Sequence, residues 1–118
     1  MAKLTYQRHP LSASTNYLPI PVAATSDVSP TLIHTASASD VDEIWLDVYN
    51  YALESVQLTM MLGGSEAHKK LALLVPSGRG LISVIKGLNF TGSVLLEAYA
   101  SDSTSLSLVG YVNRLVLV

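Results

Sequence analysis

Glu43-Ile44-Trp45-Leu46-Asp47-Val48-Tyr49-Asn50 decides the fold. Ile44, Leu46 and Val48 fall on one side of an extended chain, and Glu43, Trp45, Asp47 and Tyr49 on the other. Alternation of this kind marks a half-buried strand, because successive side chains of an extended backbone point to opposite faces. A helix would scatter the same apolar residues around its circumference.

The same grammar continues on both sides. Thr31-Leu32-Ile33-His34-Thr35-Ala36 predicts a strand upstream. Downstream, Val56-Gln57-Leu58-Thr59-Met60-Met61-Leu62 alternates through Thr59 and ends at Gly63-Gly64-Ser65, a turn suited to positive φ. Lys69 to Val75 is a further strand, stopped by Pro76, with Ser77-Gly78-Arg79-Gly80 as the next turn. Leu81 to Lys86 follows and is expected to stop at Gly87. Val94 to Ala100, the polar loop Ser101-Asp102-Ser103-Thr104 and a closing strand from Ser105 to Val118 complete the series. The one helical competitor is Ser65 to Leu74, which carries Glu66, Ala67 and two lysines. Short strands with turns every 8–12 residues or so predict an all-β fold, an antiparallel β-sandwich or jelly roll. No repeat of solenoid length is visible.

The first 30 residues read differently. They hold four of the five prolines among scattered Ser, Thr and Ala. In Tyr17-Leu18-Pro19-Ile20-Pro21-Val22 the alternate prolines favour extended geometry and remove backbone donors. The expected organisation is an extended N-terminal arm over residues 1–30 and a β-sandwich body over 31–118. Leu4, Tyr6, Tyr17, Leu18 and Ile20 are more apolar than a disordered tail requires, so they are the expected contacts of the arm with neighbouring subunits. Trp45, Tyr111, Arg114, Leu115 and Leu117 are the expected contributors to self-association or core.

Composition points toward assembly. Of 118 residues, 14% are charged and 49% hydrophobic; ordinary soluble proteins carry about 25% charged residues. A small domain has a high ratio of surface to volume, so this scarcity of charge implies surface covered by other subunits. A net charge of -2 is wrong for counterion release from a phosphate backbone, so no nucleic-acid partner is expected. The absence of cysteine excludes disulfides, a thiolate nucleophile and a cysteine zinc site. Met1 to Pro10 lacks the apolar stretch of a signal peptide, and no run approaches the roughly 18 apolar residues of a membrane helix. The expectation is a protein made and assembled in cytosol, with no membrane partner.

Motifs for chemistry are missing. His9, His34 and His68 have no metal-ligand spacing, and His34 reads as a partly buried strand residue rather than a base. Asp40-Val41-Asp42 offers carboxylates for calcium but lacks the glycine and distal glutamate of an EF-hand. Asp40, Asp42, Glu43 and Asp47 therefore read as a turn and solvent-facing strand charges. Gly78-Arg79-Gly80 is not followed by the Lys-Ser/Thr of a phosphate loop. Asn89-Phe90-Thr91 matches a glycosylation sequon, which matters only in a eukaryotic secretory protein. No enzyme and no cofactor are expected.

One resemblance adds to this reading. The succession of Glu43-Ile44-Trp45-Leu46, Leu58 to Gly64, an apolar strand closed by Val75-Pro76, Gly80 to Gly87, Val94 to Ala100, and Val109-Gly110-Tyr111-Val112-Asn113-Arg114 resembles small structural proteins of tailed bacteriophages. The resemblance covers roughly Leu32 to Arg114, and Gly110-Tyr111-Val112-Asn113-Arg114 is its most specific piece. The resemblance implies a capsid decoration, or cement, protein on the outer surface of the phage head. It would be made in the host cytoplasm, partner the major capsid protein and form a homo-oligomer, a trimer or dimer. A tail or head–tail joining subunit is the alternative. A carbohydrate-binding β-sandwich using Trp45 and exposed tyrosines is a third reading.

Overall fold

In the computed structural model, which describes residues 3–117, the chain is almost entirely extended. The strands are β1 (Leu4–His9), β2 (Ile20–Pro21), β3 (Thr31–Thr35), β4 (Val41–Asn50), β5 (Val56–Leu62), β6 (Lys70–Val75), β7 (Ile82–Phe90), β8 (Leu95–Ala100) and β9 (Leu106–Leu117). The segment that competed as a helix forms only a 3-10 turn at Ala67–Lys69 before β6 begins.

Two antiparallel sheets pack into a β-sandwich, as the alternation predicts. The first has the order β1-β9-β4-β7, with β2 also on β9; the second is β3-β8-β5-β6. The pairing is nested: β2 with β9, β3 with β8, β4 with β7 and β5 with β6. Ile44, Leu46 and Val48 of β4 are buried while Glu43, Trp45, Asp47 and Tyr49 are not. The inward set meets Leu58 and Met60 of β5, Leu96 of β8 and Leu106, Leu108 and Val112 of β9 in one core. Each fully buried aliphatic side chain of this size contributes about 1.5–3 kcal/mol.

The division at residue 30 needs correction. Leu11, Ile20 and Val22 lie in the core, and β1 and β2 extend the first sheet. Backbone hydrogen bonds fasten the segment further, from Ala13 N to Ile33 O at 3.2 Å and from Val22 N to Leu106 O at 2.9 Å. Buried donors and acceptors of an extended segment need partners, and β9 and β3 supply them. Beyond Val22 the chain crosses the outside of the second sheet. There Asp27 reaches Lys70 of β6 at 2.9 Å, and Lys70 lies over the Tyr99 ring of β8. Thr59 and Met61, on the side of β5 away from the core, are buried as well.

Gly87 does not stop β7. It sits at φ +77 where the register slips between Ile44 and Trp45, with Ile44 opposite Leu88 and Trp45 opposite Lys86. A left-handed glycine inserts the extra residue of a β-bulge without ending the strand. A second slip follows between Leu46 and Asp47. Both bulges lie on the outermost strand, where they hinder edge-to-edge pairing.

Candidate interaction face

The outer surface of the β1-β9-β4-β7 sheet gathers most of the residues singled out in the sequence. Cross-strand register sets them in rows. Leu4 faces Leu117; Tyr6 faces Leu115, which faces Val41; Arg8 faces Asn113, which faces Glu43; and Tyr111 faces Trp45. The first row stands past the start of β4, and among the described residues Leu117 has β1 as its only strand neighbour. Leu4, Tyr6 and Leu117 are each about two-thirds exposed, at 67%, 60% and 64%. A sheet end that narrows to two strands and carries an apolar face is marginal alone and gains from being covered.

The next rows are tied together. The Arg8 guanidinium lies 4.1 Å from the centre of the Tyr111 ring, and Tyr111 stacks beside Trp45 with centroids 6.4 Å apart and planes 17° from parallel. The Trp45 indole N–H donates to Glu43 Oε1 at 2.6 Å, Asn113 Nδ2 donates to the same oxygen at 3.2 Å, and Arg8 Nε donates to Asn113 Oδ1 at 3.3 Å. The Trp45 and Asn113 donors hold the Glu43 carboxyl below the ordinary glutamate range. Gly110 lets β9 approach β4, since a Cβ there would stand 2.1 Å from the Trp45 carbonyl oxygen. Gly87 similarly leaves room for the Trp45 ring, whose Cζ2 would be 3.1 Å from a Cβ at that position.

Beneath the ribbon, a buried ionic cluster closes the end of the core. Asp42 points inward and is fully buried, so it is not the solvent-facing charge that the sequence suggests. Its carboxylate accepts from Arg114 Nε at 2.7 Å and Nη2 at 3.1 Å, from His34 Nε2 at 2.7 Å and from Ser37 N at 3.0 Å. Burial pushes this carboxyl up, but the donors of Arg114, His34 and Ser37 outweigh it and hold it below the usual range. The Arg114 guanidinium is correspondingly raised by the Asp42 bond. His34 Nδ1 accepts the Ser12 N–H at 3.0 Å, which leaves the imidazole proton on Nε2 for Asp42. The cluster therefore joins the N-terminal segment to β3, β4 and β9. His34 is buried more fully than expected, and all its hydrogen-bonding capacity is used. His9 Nε2, by contrast, is enclosed without a hydrogen-bond partner among the described residues.

The expected contact residues divide accordingly. Leu4 and Tyr6 sit on the exposed ribbon with Leu115 and Leu117. Tyr17 and Leu18 are exposed on the loop between β1 and β2, where Asn16 and Tyr17 adopt positive φ. Ile20 is withdrawn from any neighbour by its place in the core, which corrects its assignment as an arm contact. Trp45 and Tyr111 lie on the outer face and Arg114 lies at the core's end. Sequence reasoning named Arg114 for self-association or core but missed the His34–Asp42–Arg114 cluster, and it missed the side-chain roles of Arg8 and Asn113. No local signal marks them, because register between distant strands brings them together. Among the described residues no three His, Asp or Glu side chains gather where a metal ion would be held. The chain matches no protein-family model and no curated protein in sequence.

Proposed function

We propose that this protein is a structural subunit of a bacteriophage virion, a capsid decoration protein that bridges subunits of the major capsid protein and self-associates as a trimer or dimer. The observation that carries the proposal is the apolar ribbon beyond the core, where Leu4 and Tyr6 pair across strands with Leu117 and Leu115. A face of this kind gains free energy when a partner removes it from water, at about 25 cal/mol per Å². The scarcity of charge and the phage-like Gly110-Tyr111-Val112-Asn113-Arg114 segment support the same reading. In that segment Gly110 admits the close strand approach, Tyr111 and Asn113 build the outer rows, and Arg114 closes the core. We also read the nested strand order as a jelly roll, an architecture common in viral capsid and lectin domains. Fold alone does not assign function, so the weight rests on the ribbon.

Binding to an expanded shell would stabilise that shell by mass action. The test is co-sedimentation of purified protein with heads stripped of it, from the phage that encodes it. Saturable binding at a stoichiometry commensurate with capsid symmetry is the expected result, together with its loss in a Leu4→Ser, Tyr6→Ser double variant. Absence of binding to heads overturns the decoration role, and binding to isolated tails or connectors instead would assign the protein there.

A further inference from the structure

We infer that the outer face of the first sheet also holds a binding site for a single pyranose ring, in the groove beside Trp45. The groove is open on one side and offers about 300 Å³, the lower end of the range typical of ligand sites and enough for one ring. It is lined by two cross-strand rows, Tyr111, Trp45 and Lys86 in one and Val109, Asp47 and Ser83 in the next, with Leu46, Ile85 and Gly110 between them. The bulges of β7 shape it, since the two register slips set Lys86 opposite Trp45 and Ser83 opposite Asp47.

The chemistry suits a ring with one apolar face and a rim of hydroxyls. Trp45 and Tyr111 present rigid, planar apolar bodies. Asp47 accepts hydrogen bonds, Lys86 donates them, and Ser83 does both. One row above, Glu43, Asn113 and Arg8 use their hydrogen bonds on each other and on Trp45. Asp47, Ser83 and Lys86 make no such bond to another side chain among the described residues, so they are free for a ligand. A carboxylate and an ammonium lining one groove also admit sugars carrying an amino or a carboxyl group. The inference does not depend on the proposed virion role, because the ribbon and the groove occupy different rows.

Trp45 is the protein's one tryptophan, so tryptophan fluorescence comes from a residue that lines this groove. The full-length protein is titrated with methyl glucopyranoside, methyl galactopyranoside, N-acetylglucosamine, glucosamine and glucuronic acid, with glycerol as control. The expected result is a saturable change with at least one sugar and none with glycerol. Asp47→Asn and Lys86→Ala should each weaken it about tenfold, the worth of one hydrogen-bonded contact of roughly 1.4 kcal/mol. Both side chains are on the surface, so circular dichroism and oligomeric mass should stay unchanged. No response to any sugar, an equal response to glycerol, or saturation unaltered in both variants overturns the site. Head binding, measured separately, would survive that failure.

Discussion

Leu4 of β1 stands directly across from Leu117 of β9, and both are left exposed by the chain that carries them. The start of β1 and the end of β9 thus meet as one cross-strand pair on a ribbon beyond the core. Leu117→Ser should change the unfolding free energy of the isolated subunit by no more than about 0.5 kcal/mol, as for other surface positions. The same substitution should weaken assembly clearly. Thermal unfolding beside sedimentation with heads separates the effects; a large loss of stability with intact binding would mean that the pair is structural only.

Asp42→Asn keeps the shape of the side chain but removes the charge that Arg114 and His34 share. Breaking a buried pair by removing one member costs about 3–5 kcal/mol when both groups are enclosed. Arg114 is partly exposed, with 25% side-chain accessibility, so a loss of about 3 kcal/mol is expected. A shift of the urea midpoint at unchanged slope would show it. Because Ser12 is tied to His34, faster proteolysis of the N-terminal segment should accompany it.

The same carboxylate predicts an acid-sensitive stability. Its folded-state pKa is depressed, so its contribution is complete above the ordinary aspartate value of about 3.9 and is lost as pH falls through the lower folded value. Wild-type protein should lose stability below about pH 4, and Asp42→Asn should show a shallower decline there. Parallel slopes in urea titrations between about pH 2 and 5 would exclude Asp42 as a main source of the acid limb.

Gly110→Ala places a methyl group against the Trp45 carbonyl oxygen and Leu46 Cα, both backbone atoms that cannot turn away. The expected loss is about 3 kcal/mol, the upper end of overpacking costs. Gly78→Ala is the control, since nothing stands within 4 Å of its Cβ position and only its φ of +72 opposes the change; about 1 kcal/mol is expected there. Equal effects in urea unfolding would refute the close-approach role of Gly110.

The body was legible where local pattern suffices. The two faces of β4, the turn at Gly63 and the stop at Pro76 follow from alternation and from the backbone preferences of glycine and proline. Gly87 was misread because a glycine that ends a strand and one that bulges it look alike until a partner fixes the register. Asp42 was misread because its partners lie as far away as Arg114.

The sequence by itself determined an all-β chain, poor in charge, with its alternating strands sorted into inward and outward residues. Those properties depend on neighbours one or two positions apart, within reach of side-chain period and backbone preference. Only the tertiary structure decided that the proline-rich N-terminal segment belongs to the body, that Leu4 meets Leu117 and that Asp42 is an interior anchor. Each of these depends on antiparallel pairing with β9, and pairing between strands so far apart is set by the packing of the whole core.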